Sequence, residues 1–165
     1  MNIKTDFNKY YFEINENGKL ISKLTSESNS IGKTNYLGNS IEFKTKERWW
    51  EKYQYSIIKN SKIIGSINFN WLLDSIITID EKGLEKKYIL KTDSFKQEFN
   101  LYDDNKIHLL KYKKISGDFS VFEINCEIIK KPEEMIDLNE LVIYTYFPAF
   151  QIMHGTLINQ MNGGG

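Results

Sequence analysis

Three stretches of this chain repeat one another, and that repeat restricts the fold more than any other feature. Segments 9–20, 52–63 and 96–107 align without gaps. Each opens on a lysine (Lys9, Lys52, Lys96) and then carries an aromatic and an aliphatic residue two apart (Phe12 and Ile14, Tyr55 and Ile57, Phe99 and Leu101). A turn pair follows (Asn17-Gly18, Asn60-Ser61, Asp104-Asn105), then a lysine and an aliphatic (Lys19-Leu20, Lys62-Ile63, Lys106-Ile107). A period of about 43 residues is that of a supersecondary unit.

Each copy reads as a β-hairpin. A spacing of two puts both apolar residues on one face of a strand. Asn17-Gly18 tolerates the positive φ of a tight hairpin, and the other two pairs are weaker versions of the same device. Return strands are expected from Leu20 to Leu24, Ile63 to Phe69 and Ile107 to Tyr112. Ser40 to Thr45 and Lys87 to Thr92 resemble each other and read as strands between the hairpins, as does Asp74 to Asp80. In Phe119 to Ile129, Phe122, Ile124, Cys126 and Ile128 alternate with polar residues, the pattern of a half-buried strand. The sum is about eleven or twelve strands, four per repeat.

The chain then changes character. Pro132 and the run from Lys130 to Glu134 interrupt the β pattern. Asp137 is a candidate N-cap with Glu140 three residues on. From Leu138 to Met153 apolar residues cover every side of a helix, which must then be buried in protein or lipid. Pro148 is expected to kink it or end its first half, and Gly155 to mark a second break. The domain is expected to span 1–160, with the helix at about 137–160 and a loose tail at 161–165. A β-propeller needs more repeats than three. A β-trefoil fits the arithmetic but gives such a helix no place. A closed antiparallel barrel with the helix in its lumen satisfies both facts and is the expected fold, with the β-trefoil as the alternative.

Together, the repeated hairpins and the terminal apolar segment from Leu138 to Ile158 resemble the tubby C-terminal-like superfamily, which includes tubby, the phospholipid scramblases and the LURP-one-related proteins. The similar segments are 53–71, 87–103 and 119–158. The resemblance implies a twelve-stranded barrel around a central hydrophobic helix. It transfers no binding residue, since neither the basic phosphoinositide site of tubby nor the calcium segment of scramblases has a match here.

Composition narrows the function classes. Lys+Arg and Asp+Glu stand at 22 each, so no net field steers the chain to polyanions. Arg48 is the only arginine, which argues against a nucleic-acid reader. One cysteine, Cys126, allows no intrachain disulfide and no thiolate metal cluster. The first seven residues lack a signal peptide's apolar core, so a cytoplasmic location is expected, with or without membrane association. His154 is expected to be structural and His108 half-buried in a sheet. Cys126 shares a strand face with Phe122 and Ile124, where burial suppresses reactivity. No enzyme, cofactor or metal is expected.

Two surface features remain. Lys86, Lys87, Lys111, Lys113 and Lys114, with Lys91, would form a basic patch for phosphate or anionic lipid if they converge; otherwise they guard the sheet against edge association. Arg48-Trp49-Trp50 sets a cation beside two tryptophans that face opposite sides of a strand, which suits a membrane interface or a protein partner. The expected function is a non-enzymatic binding or scaffold module, docking to an anionic membrane surface or a partner protein. The alternatives are a scramblase-like protein whose terminal helix enters the bilayer, since 141–158 nears the length of a span, and a β-trefoil carbohydrate binder.

Overall fold

A computed structural model of the chain describes residues 1–28, 31–45, 54–70, 74–81, 83–93, 96–132 and 136–162, without the side chains of 27–28, 81 and 156–162. Its elements in chain order are β1 (Asn2–Asp6), β2 (Tyr11–Glu16), β3 (Lys19–Ser28), β4 (Ile31–Tyr36), β5 (Asn39–Thr45) and β6 (Gln54–Lys59). There follow β7 (Lys62–Phe69), β8 (Ser75–Glu81), β9 (Leu84–Asp93), β10 (Glu98–Asp103), β11 (His108–Gly117), β12 (Val121–Ile128) and the helix α1 (Leu138–Asn162). Every strand pairs antiparallel with its chain neighbours, and β1 pairs with β12, closing the sheet into a barrel. The β-trefoil is thereby overturned: the chain winds up and down around one closed wall.

The repeat is a property of the backbone as well as the sequence. The hairpins are β2–β3, β6–β7 and β10–β11. Each carries a register irregularity at the same place, between Ile14 and Asn15, Ile57 and Ile58, and Leu101 and Tyr102. The first two turn on paired positive φ angles, at Asn17 and Gly18 and at Asn60 and Ser61, as a two-residue hairpin that follows the strand twist requires. The third uses a longer turn with Lys106 alone at positive φ. One repeat thus spans four strands, and β1 completes the third copy beside β12.

Two strands, β1 and β4, have no counterpart in the sequence reading. In β4 the inward residues are Gly32, Thr34 and Tyr36, only one of them large and apolar. The reason is steric. A Cβ on Gly32 would stand 2.7 Å from Phe147 Cε2, so the helix fills the space that a strand side chain would otherwise take.

The helix runs through the lumen. Asp137 caps it as expected: its Oδ1 accepts the N–H groups of Asn139 and Glu140 at 3.0 and 3.1 Å. Glu140 does not complete a capping box. Its carboxylate instead meets Lys59 on β6 and the Tyr144 hydroxyl. Every residue from Leu141 to Phe150 is buried. Phe147 stacks on Phe43 of β5 at 4.1 Å between centroids and meets Tyr55 of β6 edge-on. Tyr146 packs edge-on against Phe12 of β2, and Phe150 meets Phe7. Tyr112 of β11, half-way round the ring from β5, packs on Tyr146 and bonds to Thr145, so the helix meets the wall on opposite sides.

α1 continues past both Pro148 and Gly155, so neither is the terminus or break that the sequence reading offered. A proline in a helix interior costs about 3 kcal/mol. Enclosure on all sides outweighs it, because any departure from the helix would push large aromatics into a closed wall. Among the described residues no helix is long and apolar enough to cross a membrane.

Candidate functional site

Several buried hydroxyls of the barrel interior pair between helix and wall, while Ser75 Oγ on β8 is buried without a partner. Thr5 and Tyr146 share a hydrogen bond of 2.7 Å, and Tyr112 and Thr145 one of 2.6 Å. Burial raises the pKa of Tyr146, and Tyr112 shifts the same way for the same reason. Cys126 packs beside Tyr112, its thiol pushed up to about 12 chiefly by desolvation, so it stays protonated and unreactive. His154 is buried against Phe7 and Tyr10 at the far end of the helix, and desolvation lowers its pKa. His108 is half-buried on β11, stacked on Tyr102, with Nε2 3.1 Å from the Leu110 carbonyl oxygen. All three therefore have packing roles, as their strand and helix phases suggest.

Part of the lysine set shares one stretch of wall: Asn100 of β10 pairs with Lys91 on one side and with Lys111 on the other. Lys111 and Lys113 close on a single carboxylate: Lys111 Nζ lies 3.0 Å from Glu98 Oε2 and Lys113 Nζ 3.4 Å from Glu98 Oε1. Their ammonium groups, Lys111 first, hold the Glu98 carboxyl below its usual range. Lys91 sits over the Tyr102 ring at 5.6 Å. Lys114 donates to the Asp118 carbonyl at 2.6 Å and covers the rings of Phe122 and Phe119 at the end of β11. Lys86 and Lys87 lie near the start of β9, opposite Ile79 and Thr78 of β8. Cross-strand register thus gathers Lys91, Lys111 and Lys113 around Asn100 and Glu98, where the Glu98 carboxylate already holds two of them. Arg48, Trp49 and Trp50, between β5 and β6 in sequence, lie outside the described residues, as do Glu133 and Glu134 between β12 and α1.

What the barrel gathers instead is a ring of apolar tips. In an up-and-down barrel, alternate connections fall at the same end. One end, the entry rim, carries the β2–β3, β4–β5, β6–β7, β8–β9 and β10–β11 turns and receives the start of α1. Tyr36 marks it by donating 2.7 Å to the helix cap Asp137. Leu20, Leu37, Ile63, Leu84 and Ile129 all sit on this rim, and all are among the exposed large hydrophobics. Leu20 and Ile63 are repeat equivalents, each preceded by an exposed lysine, Lys19 and Lys62. The far rim holds the β11–β12 hairpin, with Ile115 and Phe119 exposed.

A second departure from the repeat lies in the wall. The seam between β7 and β8 pairs from Phe69↔Ser75 to Gly65↔Ile79, and a Cβ on Gly65 would stand 2.2 Å from the Thr78 carbonyl oxygen. The equivalent β3–β4 seam pairs only from Ser28↔Ile31 to Thr25↔Lys33. Above that point the strands separate toward the entry rim. Thr34 Oγ1 bridges the gap, donating to the Lys23 carbonyl at 2.9 Å and lying 2.6 Å from Ser22 Oγ. A shallow polar groove of about 270 Å³ lies over the opening, lined by Lys23, Thr25, Lys33, Asn35, Ser40 and Glu42 among others. Lys23 is held by Glu13 at 2.8 Å and by the Tyr11 ring at 4.1 Å. The lysine–aliphatic step after the repeat turns was the signal for Leu20 and Ile63, whereas Leu37, Leu84 and Ile129 carry no such mark. The seam had no such signal.

No protein-family model, no curated protein and no solved structure matches this chain.

Proposed function

We propose that the chain is a non-enzymatic binding module that works through its outer surface and docks by the entry rim. The observation that carries this reading is the collection of exposed aliphatic tips, Leu20, Leu37, Ile63, Leu84 and Ile129, at one end of the barrel. Single exposed hydrophobics are ordinary, but five at one end of a barrel, two of them beside exposed lysines, make an apolar rim suited to an interaction. The interior supports the same reading from the other side, since the helix fills the lumen and its polar groups are paired with the wall. A barrel so filled offers ligands its ends and its wall.

The tubby-like resemblance belongs to this proposal. Its support is the twelve-stranded closed barrel with a C-terminal helix inside. The reading in which the terminal helix enters a bilayer fits the molecule less well, because the residues from Leu141 to Phe150 already have protein on every side.

The test is a rim variant carrying Leu20→Ser, Leu37→Ser, Ile63→Ser and Leu84→Ser. It should match the parent in circular dichroism and unfolding midpoint. Vesicle co-sedimentation and sedimentation velocity should show that the parent associates with lipid or with its own copies, and that the variant does not. Identical behaviour of the two proteins in both assays would remove the rim as a docking surface.

A further inference from the structure

We infer that the open β3–β4 seam is a receptor groove for an extended peptide of a partner protein, which adds to the free backbone of the seam and leaves past the entry rim. This names a partner for one sector of the rim, and rests on the rim reading only for two leucines at the mouth of the groove.

The threefold plan shows what the seam lacks. In the second repeat the β7–β8 ladder runs on to Gly65↔Ile79, and in the third the β11–β12 ladder runs on to Leu110↔Ile128. The first repeat keeps the register of the second but stops at Thr25↔Lys33. Pairs of Leu24 with Thr34, Lys23 with Asn35 and Ser22 with Tyr36 would complete it, and all three are absent. Ser22 and Thr34 stand where the second repeat has Gly65 and Ile77, and their hydroxyls lie 2.6 Å apart. Thr34 also donates to the Lys23 carbonyl, so a side chain serves a main-chain acceptor where the siblings continue a ladder. Both hydroxyl residues are buried, which seals the opening on the lumen side and leaves the groove facing outward.

The chemistry of the groove selects its occupant. Lys23 and Asn35 present main-chain groups to the gap instead of to each other, and an extended backbone answers such groups at strand spacing. Thr25, Lys33, Asn35 and Glu42 line the groove and form no side-chain hydrogen bond or ion pair among the described residues. Lys33 faces Glu42 across β4–β5, and Lys23 is held by Glu13, so the lining is balanced in charge and favours neither polyanion nor polycation. It carries no aromatic ring on which a sugar would stack.

The mouth is apolar. Leu20 near the start of β3 and Leu37 just after β4 stand one on each bank of the seam, 51% and 78% exposed. Leu37 also holds φ +48°, a conformation unfavourable for leucine, and Asn17 and Asn60 take the same place in two sibling turns. An apolar peptide residue leaving the groove would cover both leucines.

The test pans a displayed library of short random peptides on the full chain. Enriched peptides are then measured by fluorescence anisotropy and by amide hydrogen exchange. The Lys23 and Asn35 amides should exchange fast in the free protein, unlike those of Ser66 and Lys111, and become protected when an enriched peptide is added. Ser22→Gly with Thr34→Ile copies the second repeat and should let the ladder close. Peptide binding should then weaken about tenfold or more, as loss of two main-chain hydrogen bonds requires, while the unfolding midpoint holds or rises. N-methylation along the peptide should have the same effect on the parent, and high salt should have little. Leu20→Ser with Leu37→Ser should weaken binding about threefold to tenfold. Protected Lys23 and Asn35 amides in the free protein would overturn the open seam. A library that enriches nothing, or peptides that bind parent and closed variant alike, would overturn the peptide partner. Binding that ignores the two leucines but is lost in the closed variant would uphold the groove and remove the rim from it.

Discussion

The lumen and the entry rim obey opposite rules. Inside, every residue from Leu141 to Phe150 is buried, hydroxyl pairs such as Thr5–Tyr146 close on each other, and Gly32 yields its volume to Phe147. At the rim, leucine and isoleucine stand in water, and Leu37 does so on a left-handed backbone. The lumen is selected for stability, and the rim spends some of it. Since a domain of this size keeps only about 5–15 kcal/mol in hand, the left-handed backbone at Leu37 is a cost with no return inside the folded monomer.

Changes in the lumen should therefore be severe and changes at the rim nearly silent. The largest effect is expected from a chain ending at Pro132. Without α1 the wall would enclose an empty tube lined by Phe12, Phe43, Tyr55 and Tyr112. Its urea unfolding, followed by tryptophan fluorescence, should lack a cooperative transition. A cooperative transition of near-native stability would show that the helix is an appendage and erase the contrast.

Next comes Phe147→Ala. It removes a ring stacked on Phe43 and edge-on to Tyr55, and should cost about 3–5 kcal/mol in denaturant unfolding. A cost below about 1 kcal/mol would mean that the lumen is loosely packed.

His154 sharpens the comparison through pH. Desolvation lowers its folded pKa, so the unfolded chain binds the proton more readily. Its contribution is present above the unfolded value of about 6.5 and is lost as pH falls from there through the depressed folded value. Stability should drop across that acid window in the parent, and His154→Phe should flatten that part of the profile. An unchanged profile would remove the lower helix end from the buried core.

At the rim, Leu20→Ser or Ile63→Ser should each alter stability by no more than about 0.5 kcal/mol, and Leu37→Asn should add up to about 1 kcal/mol by relieving the left-handed leucine. A loss above 1 kcal/mol at either serine variant would make these tips part of the core and dissolve the distinction.

Much of the wall was legible in the linear chain. Phe12 and Ile14, Tyr55 and Ile57, and Phe99 and Leu101 all point inward as their spacing requires. A two-residue period needs only local geometry, and the turn pairs carry their own φ preferences. Strands β1 and β4 escaped notice because a strand facing a bulky helix can be lined by Gly32 and Thr34, and apolar periodicity then vanishes. The basic patch could not be judged from sequence, since register alone brings Lys111 and Lys113 to Glu98 and sets Lys91 beside Asn100. Leu37 looked unremarkable for the same kind of reason: the cost of its conformation is visible only once its backbone is known.

Local chemistry thus settled the hairpins, the helix start at Asp137 and the threefold plan, because each depends on residues a few positions apart. Tertiary structure decided that the helix would continue through Pro148, that the β3–β4 seam would open where its siblings close, and that scattered aliphatic tips would share one rim. Those outcomes depend on which strands face the helix and which turns fall at the same end of a closed barrel. Closure is a constraint on the whole chain, which no short segment contains.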